Sequence, residues 1–192
     1  MTDNNNQALD FLLTRRSCPF MAIKEPVPDK KELNTILNAA ARSPDHGKLE
    51  PWRFIVLEKP AMPRLARILQ ERGEQLGKAP SLLAKACEVF TVASLIVVVV
   101  SKPNREAKIP LIEQTLSAGA VCLSLLNAAL ASGWGANWLT GFGAHDEEFR
   151  NKALGLSADE YVAGFIHIGT SASVPHDRPR PDIDTITTWV NE

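Results

Sequence analysis

The segment Leu95–Val100 constrains the fold more than any other part of the sequence. It reads LIVVVV, and five of its six residues are β-branched. β-Branched side chains favour strands, and the side chains of a strand alternate between its two faces. A strand that is apolar at every position must be covered on both faces. We therefore predict that Leu95–Val100 is the central strand of a sheet.

A long apolar segment, Leu111–Ser132, follows this strand. It consists largely of Leu, Ala, Ser, Gly and Cys with few charges, and a helix that is apolar on nearly every side is buried all round. In so small a protein, a partner subunit could provide part of that cover. The uncharged stretch 114–145 contains Gly119, Asn127, Gly133 and Gly135. We expect these residues to interrupt the helix before the span of about 20 apolar residues that crosses a membrane.

The remaining elements follow from periodicity, caps and breakers. Expected helices are one with Ala8, Leu9, Leu12 and Leu13 that ends near residues 14–17, one capped by Asp29 and closed by Pro44, one or two within Met62–Ala86 broken near Pro80, and Asp146–Leu154. Expected strands are Trp52–Leu57 and Tyr161–Ile168, with a short strand or loop at Gly133–Trp138. No linker or repeat interrupts this order, so we expect one domain over residues 1–192.

The C-terminal tail, from about residue 171 to residue 192, has little core of its own. It nevertheless carries four apolar side chains, Ile183, Ile186, Trp189 and Val190. Apolar side chains in a terminal segment need a surface to cover them. We expect the tail to dock on the body of its own chain or on a partner subunit.

Charge and cysteine content exclude several classes of protein. The formal net charge is −1, and no Lys/Arg run marks a nucleic-acid or membrane surface. The cysteines are Cys18, Cys87 and Cys122, an odd number at wide spacing, which fits neither a disulfide framework nor a metal site. We expect reduced thiols and, since the N-terminus has no basic head followed by an apolar run, a cytoplasmic protein. Cys18 is expected to be a small buried hydrophobe.

Three polar clusters are candidates for a binding site. Arg15, Arg16 and Ser17 at a helix end form a reasonable phosphate clamp, although a solvated helix end is the more common arrangement. Arg178 and Arg180, stiffened by the proline between them, are a second candidate, with an exposed charged tail as the alternative. The loop 43–52 concentrates hydrogen-bonding groups before a strand, namely Asp45, His46, Lys48, Glu50 and Trp52. The alternative for His46 is an ordinary exposed histidine without a function. The alternative for Trp52 is a structural tryptophan of the core.

The segment Asn137–Gly141 follows two glycines, so backbone there can approach a ligand closely; a plain connection is the alternative. The sequence contains no GxGxxG after a strand, no P-loop, no GxSxG and no HExxH. The nucleotide-binding and hydrolase classes that depend on these motifs therefore lack their key residues.

The order of these segments resembles the FMN-dependent nitroreductase family along nearly the whole chain. The matching motifs are TRRS, SPDHGKLEPWRF, SLIVVVV, ASGWGANWLTG, FIHIGT and RPRP. This resemblance implies an α+β fold with a central, mostly antiparallel sheet flanked by helices. It also implies an intertwined homodimer with two flavins at the subunit interface.

The same resemblance implies an enzyme that uses FMN and either NADH or NADPH. The flavin accepts a hydride from the nicotinamide, which leaves, and then reduces a nitroaromatic, a quinone or a similar small aromatic acceptor in the same pocket, a ping-pong cycle. Because the hydride chemistry belongs to the cofactor, we expect no catalytic side chain and no metal. The alternatives are another reaction on the same flavin, such as dehalogenation or ene reduction, and a non-catalytic FMN-binding dimer.

Site residues are carried over by position. The residues expected at the cofactor are Arg15, Arg16 and Ser17 at the phosphate and ribityl chain, Arg178 and Arg180 at the phosphate, and Arg42, His46, Lys48, Glu50, Trp138, Leu139 and Thr140 at the flavin. The segment expected at the nicotinamide nucleotide is Ala128, Ala129, Leu130, Ala131, Ser132 and Gly133.

Two positions depart from the commoner family pattern, in which an Asn and a Gln precede Pro-Trp. Lys48 and Glu50 stand there instead. A carboxylate cannot donate the hydrogen bonds of an amide, and near a reduced flavin it is repelled. We therefore expect Lys48 and Glu50 to pair, or Glu50 to point away from the ring. A positive charge from Lys48, Arg15 or Arg16 would favour the reduced cofactor.

Overall fold

The computed structural model describes residues 6–173 and 175–191. Its helices are α1 (Asn6–Thr14), α2 (Lys30–Ala40), α3 (Met62–Gln75), α4 (Pro80–Thr91), α5 (Leu111–Ala131), α6 (Phe142–His145), α7 (Glu147–Leu154) and α8 (Ile183–Ile186). Its strands are β1 (Ile23–Lys24), β2 (Trp52–Glu58), β3 (Leu95–Ser101), β4 (Gly135–Leu139) and β5 (Tyr161–Ser171). The predicted helices and strands are confirmed, while β1, α6 and α8 were not foreseen.

The five strands form one antiparallel sheet in the order β1-β5-β3-β2, and β4 pairs with β5 as well. The long strand β5 pairs with β3 along one edge, and β4 and then β1 follow each other along its other edge. The strand β3 lies between β5 and β2, and all seven of its residues are buried. The α+β class, the antiparallel sheet and the central place of LIVVVV are therefore confirmed.

Alternate side chains of β3 enter two separate cores, one on each face of the sheet. Ile96, Val98 and Val100 pack with side chains of α3, α4 and α7. Leu95, Val97 and Val99 pack with side chains of α2 and α5. Burial of each such side chain is worth about 1.5 to 3 kcal/mol. Both faces of the segment Leu95–Val100 are therefore covered by apolar side chains. This explains why the segment contains no polar residue.

Helix boundaries follow local capping chemistry. The Asp29 side chain accepts hydrogen bonds from the Lys31 and Glu32 amides, and the Glu32 side chain accepts one from the Asp29 amide, a reciprocal capping box at the start of α2. Asp146 caps α7, and Gly155 ends that helix in left-handed backbone. These caps set where the connecting loops begin, and so place the loop that follows α2.

The helix α5 has a buried side and an open side. Val121, Cys122 and Leu125 are inaccessible on the sheet side, whereas Ile112, Leu116 and Leu123 are exposed. The expected burial all round is therefore not achieved within one chain. The expected break before about 20 residues is also wrong, since a glycine inside a helix costs only about 1 kcal/mol. By length and composition α5 could cross a membrane, but its buried side is part of the core.

The described part of the tail leaves its apolar side chains uncovered. Ile183, Ile186, Trp189 and Val190 are 63–80% exposed. Its first half does contact the body, because the Arg16 guanidinium donates to the carbonyl oxygen of His176. Val174 and Glu192 lie outside the described residues. Docking of the apolar half of the tail on a partner subunit remains a prediction.

The buried histidine of β5 predicts a pH dependence of stability. His167 is 1% exposed, its Nε2 has no hydrogen-bond partner among the described residues, and burial lowers its pKa to about 4. An unfolded histidine has a pKa of about 6.5. Between these values the unfolded chain binds a proton that the folded chain does not, so the free energy of unfolding should fall by about 3 kcal/mol as pH drops from 6.5 to 4.

Urea unfolding at a series of pH values between 7.5 and 4 measures this loss. His167→Leu should flatten the dependence, because the replacement cannot take up the proton. His145→Gln, a change at an exposed histidine, is the control and should leave the slope unchanged. An identical slope in His167→Leu would contradict the prediction.

Candidate functional site

The arginine pair at the end of α1 lies in the segment that leads to β1. The Arg15 Nη2 donates to Ser17 Oγ at 3.0 Å. The Arg15 Nε is buried and has no hydrogen-bond partner among residues 6–173 and 175–191. A buried guanidinium nitrogen without an acceptor is costly. Arg15 therefore has a donor available for an acceptor that the described residues do not supply.

The tail brings the second arginine pair to the first. Asp177 Oδ1 accepts from Arg16 Nη1 at 3.3 Å and from Arg180 Nη2 at 2.6 Å. The sequence expectation that the two pairs belong together thus has a direct geometric counterpart. Asp177, which links them, was not identified from the sequence, because a single aspartate in a polar tail gives no signal of its contacts.

Positive charge accumulates at this point. The pKa of Arg15 is lowered, first by burial and then by the charges of Arg180, Arg16 and Arg178. The pKa of Asp177 is lowered as well, chiefly by the backbone N–H of Arg178 and then by the hydrogen bond from Arg180. One carboxylate among four guanidiniums leaves an excess of positive charge. An added dianion would relieve the repulsion and accept several charged hydrogen bonds. We call Arg15, Arg16, Arg178 and Arg180 the arginine cluster.

A cavity of about 710 Å³ opens beside the arginine cluster. Its wall includes Arg15, Arg16 and Asp177 together with apolar groups of Phe11 and Trp134. Of the segment expected at the nicotinamide nucleotide, Leu130 and Gly133 line the cavity. Ala128, Ala129, Ala131 and Ser132 do not, since consecutive residues of α5 face different directions.

Cys18 lies in the wall of this cavity, and Asn137 holds the backbone of Cys18 in place. Cys18 lines it, is 4% exposed, and donates its backbone N–H to the Ala136 carbonyl at 2.9 Å. The Asn137 side-chain amide donates to the Cys18 carbonyl. The expectation of a small buried residue at Cys18 is confirmed. The anchoring role of Asn137 was missed, because it depends on β4 lying beside the segment after α1.

The loop 42–50 lies elsewhere, on the first half of α5. His46 Nδ1 is 2.7 Å from Glu113 Oε2, and Arg42 is exposed just after α2. Leu130, at the cavity, is 17 residues further along α5 than Glu113, which is about 25 Å at 1.5 Å per residue. Within one chain the structure therefore does not bring His46 to the arginine cluster, and Arg42 does not line the cavity.

Lys48 and Glu50 do not form the expected ion pair, and neither joins any ion pair within the described residues. Both have positive φ, 54° for Lys48 and 47° for Glu50. Glu50 instead lines a separate cavity of about 630 Å³ with Lys102 and Arg105.

Trp138, Leu139 and Thr140 lie at the far end of β4 from the cavity. The strand begins at Gly135, which lines the cavity, and Leu139 is four residues, about 13 Å, further on. The Trp138 Nε1 donates to the Ala163 carbonyl at 3.2 Å, and its ring lies against Gly164. Trp138 remains 36% exposed. These three residues thus form a third group, separate from the arginine cluster within the chain.

No group of three or more His, Cys, Asp or Glu side chains could hold a metal ion in the described parts of the chain. The candidate site is therefore an arginine-rich cavity with an apolar wall. Its chemistry suits a phosphorylated, largely flat ligand.

Comparison with known proteins decides the family. The model of the Nitroreductase family matches residues 12–170. The chain belongs to the nitroreductase family. Among curated relatives of this nitroreductase is "Putative NAD(P)H nitroreductase YdjA" of Escherichia coli strain K12, which is 33% identical over 179 residues, covering 90% of this chain and 96% of the relative.

Solved structures share the fold. A nitroreductase-like family protein from Bacillus cereus has a TM-score of 0.77 at 20% identity and covers 100% of both chains. A Desulfovibrio desulfuricans protein crystallised in complex with FMN has a TM-score of 0.74 at 22% identity, covering 98% of this chain and 99% of that one. At these identities the likeness shows the nitroreductase-like fold.

Proposed function

We propose that this nitroreductase-family protein is an FMN-dependent NAD(P)H oxidoreductase that reduces nitroaromatics, quinones or similar small aromatic acceptors. The observation that carries the proposal is the arginine cluster, in which residues from both ends of the chain meet beside a cavity of about 710 Å³. The FMN in a related crystal structure and the name of the YdjA relative support the cofactor and the reductant.

The residues present fit a flavin phosphate. The buried Arg15 Nε lacks an acceptor among the described residues, and the arginine cluster carries more positive charge than Asp177 balances. A phosphate dianion would accept hydrogen bonds from Arg15, Arg16, Arg178, Arg180 and Ser17, and guanidinium pairs with phosphate are among the strongest charged hydrogen bonds. Phe11 and Trp134 provide an apolar wall against which the flavin could pack.

FMN, when bound, supplies the acceptor and donor of hydride. The chain contributes binding, orientation and charge. No side chain is required as a nucleophile or an obligatory base. Lys48, Arg15 or Arg16 would place positive charge where it favours the reduced cofactor.

We further propose that the site is completed in a homodimer. One chain leaves Arg42 and His46 outside the lining of the cavity, and it leaves Ile112, Leu116 and Leu123 of α5 exposed. The apolar tail residues after Ile183 are uncovered too. A second copy that packs on α5 would cover these surfaces and bring its loop 42–50 and its Trp138–Thr140 segment to the flavin. Each subunit would then be a single domain, with the tail docked on its partner.

We place the enzyme in the cytoplasm. Its three cysteines are free thiols, and burial raises the pKa of Cys122 to about 12. Buried, protonated thiols suit a reducing compartment.

The visible spectrum of the purified protein, before and after addition of FMN and then of NADPH or NADH without oxygen, tests the proposal. We expect a yellow protein with one FMN per chain, bleaching by at least one nicotinamide, and reoxidation by nitrofurazone and by quinones. If the protein instead turned over halogenated phenols or activated alkenes in preference to nitrofurazone and quinones, its proposed substrate class would change to those compounds. Sedimentation should show a dimer. Protein that stays colourless after FMN addition would contradict the proposal.

A non-catalytic FMN-binding dimer is the second candidate. Glu50, where the commoner family pattern has a Gln, favours it, since a carboxylate near the ring opposes reduction. If neither NADH nor NADPH bleaches bound flavin, this candidate replaces the enzyme.

A further inference from the structure

The loop between α2 and β2 holds three left-handed residues within four positions. The φ angles are 77° at Gly47, 54° at Lys48 and 47° at Glu50. Glycine adopts this conformation freely, whereas Lys and Glu are strained in it because their Cβ crowds the backbone. Such strain persists only where surrounding contacts enforce it, and it concentrates at functional sites. The contacts that enforce it here identify a residue with a role in the site.

One aspartate supplies most of the restraint. The Asp45 carboxylate accepts from the Glu50 N–H at 2.8 Å through Oδ2 and from the Leu49 N–H at 3.3 Å through Oδ1. The Asp45 carbonyl accepts from the Lys48 N–H at 3.4 Å. Asp45 thus binds three consecutive backbone amides, which include both strained residues. Hydrogen bonds to a carboxylate are stronger than those between neutral groups.

Both flanks of the loop are fixed to α5. The Ser117 hydroxyl donates to the Pro44 carbonyl at 2.7 Å, and the Ser43 hydroxyl donates to Ser124 Oγ at 3.0 Å. After the loop, the Trp52 indole donates to Ser117 Oγ at 3.2 Å. Since both ends of the loop are anchored to α5, residues 45–50 are the part of the loop whose conformation could change. Asp45 determines that conformation.

We propose that Asp45 is a positioning residue for the flavin site. Its carboxylate holds residues 48–50 in the conformation that presents the Lys48 amine and the loop backbone to FMN. The inference rests on the proposed function, in which this loop reaches the flavin held by the arginine cluster of the partner copy. A purely structural role would change stability alone. A positioning role changes FMN affinity and the potential of the bound flavin.

The test is Asp45→Ala in the full-length protein. We expect the FMN dissociation constant to rise by about 10- to 100-fold, because the charged hydrogen bonds that order the loop are lost. We also expect the midpoint potential of bound FMN to become more negative as Lys48 loses its fixed place. Flavin fluorescence titration measures the first quantity, and anaerobic titration with a redox dye measures the second.

Asp45→Asn is the conservative variant, and it decides the question if the alanine variant does not fold. The amide keeps one acceptor oxygen, so we expect an intermediate loss of about 3- to 10-fold in FMN affinity. Adding Glu50→Gly to Asp45→Ala should recover at least about threefold of the affinity, because glycine adopts positive φ without strain.

Asp29→Ala is the matched control. The Asp29 carboxylate also accepts from two backbone amides, those of Lys31 and Glu32, both at 2.8 Å, but it lies at the start of α2, at the opposite end from Arg42. This variant should unfold at a lower temperature and bind FMN within about twofold of the parent.

Any one of three results would overturn the inference. Unchanged FMN affinity and potential in Asp45→Ala, with a parent that binds FMN, overturn the inference and leave the proposed function standing. An equal loss of FMN affinity in Asp29→Ala assigns the effect to general destabilisation and also overturns it. A parent that takes up no FMN removes the proposed function, and this inference with it.

Discussion

Replacing Arg15 and Arg180 together by alanine is expected to weaken FMN binding by about 100- to 10,000-fold. Each guanidinium would lose charged hydrogen bonds to the phosphate, worth about 1.5 to 3 kcal/mol apiece, and each 1.4 kcal/mol is a factor of ten in affinity. Flavin fluorescence titration measures the dissociation constant. Arg67→Ala, which removes an exposed arginine paired with Glu71 on α3, is the control and should leave FMN binding unchanged.

The same double variant should be as stable as the parent when no FMN is present. It loses the contact of Arg15 with Ser17 at 3.0 Å and that of Arg180 with Asp177 at 2.6 Å, which at a surface are worth about 0 to 1 kcal/mol. It gains relief from repulsion within the arginine cluster. Saturating FMN should raise the melting temperature of the parent and not that of the variant. If the double variant bound FMN with a dissociation constant within tenfold of that of the parent, the arginine cluster would not be the phosphate-binding site.

Gly169→Ala is expected to lower the free energy of unfolding by about 3 to 5 kcal/mol. A Cβ at Gly169 would lie 2.5 Å from the backbone oxygen of Lys24 and 3.0 Å from Ile23 Cγ2. The carbonyl belongs to β1, which pairs with β5 at this point, so relief requires the two strands to separate. Urea unfolding at pH 7.5 measures the loss.

Gly164→Ala is the matched comparison, since it makes the same change in the same strand. There the Cβ would lie 2.3 Å from Trp138 Nε1 and 3.1 Å from Cys122 Sγ. A side chain can rotate away, so this variant should lose less stability than Gly169→Ala and change the tryptophan fluorescence. Equal losses in the two variants would contradict the view that the fixed carbonyl of β1 makes Gly169 the more sensitive position.

Much of the fold was predictable because its signals are local. The β-branched run of β3, the capping aspartate of α2 and the proline that begins α4 each act over a few residues, and the structure has the corresponding elements. The two-residue strand β1 and the four-residue helices α6 and α8 were missed, because so short a segment carries no periodic signal. β1 is defined by its pairing with the distant strand β5, and α6 packs on β5 as well.

For the candidate site, the sequence allowed only the chemical type of the binding residues to be predicted, not their contacts. The two arginine pairs could be predicted as candidate phosphate ligands from residue type, and the structure brings them together. Asp177 was not found in this way, and although Asp45 and Asn137 lie in segments singled out from the sequence, their hydrogen-bond partners could be seen only in the folded chain. Of the two arrangements expected for Lys48 and Glu50, the ion pair is not formed within the described residues, and the alternative, that Glu50 points away from the flavin ring, stays a prediction.

The sequence alone determined the central strand β3, the long apolar helix α5 and the chemical type of the groups proposed to bind a phosphate. These depend on side-chain periodicity and charge, which are readable along the chain. Only the tertiary structure decided that Arg16 meets Asp177, that the His46 end of the loop 42–50 contacts α5 about 25 Å from its cavity-lining residue Leu130, and that one side of α5 stays open. Such outcomes depend on which long-range contacts offset the entropy of closing the chain, and no local pattern encodes that balance.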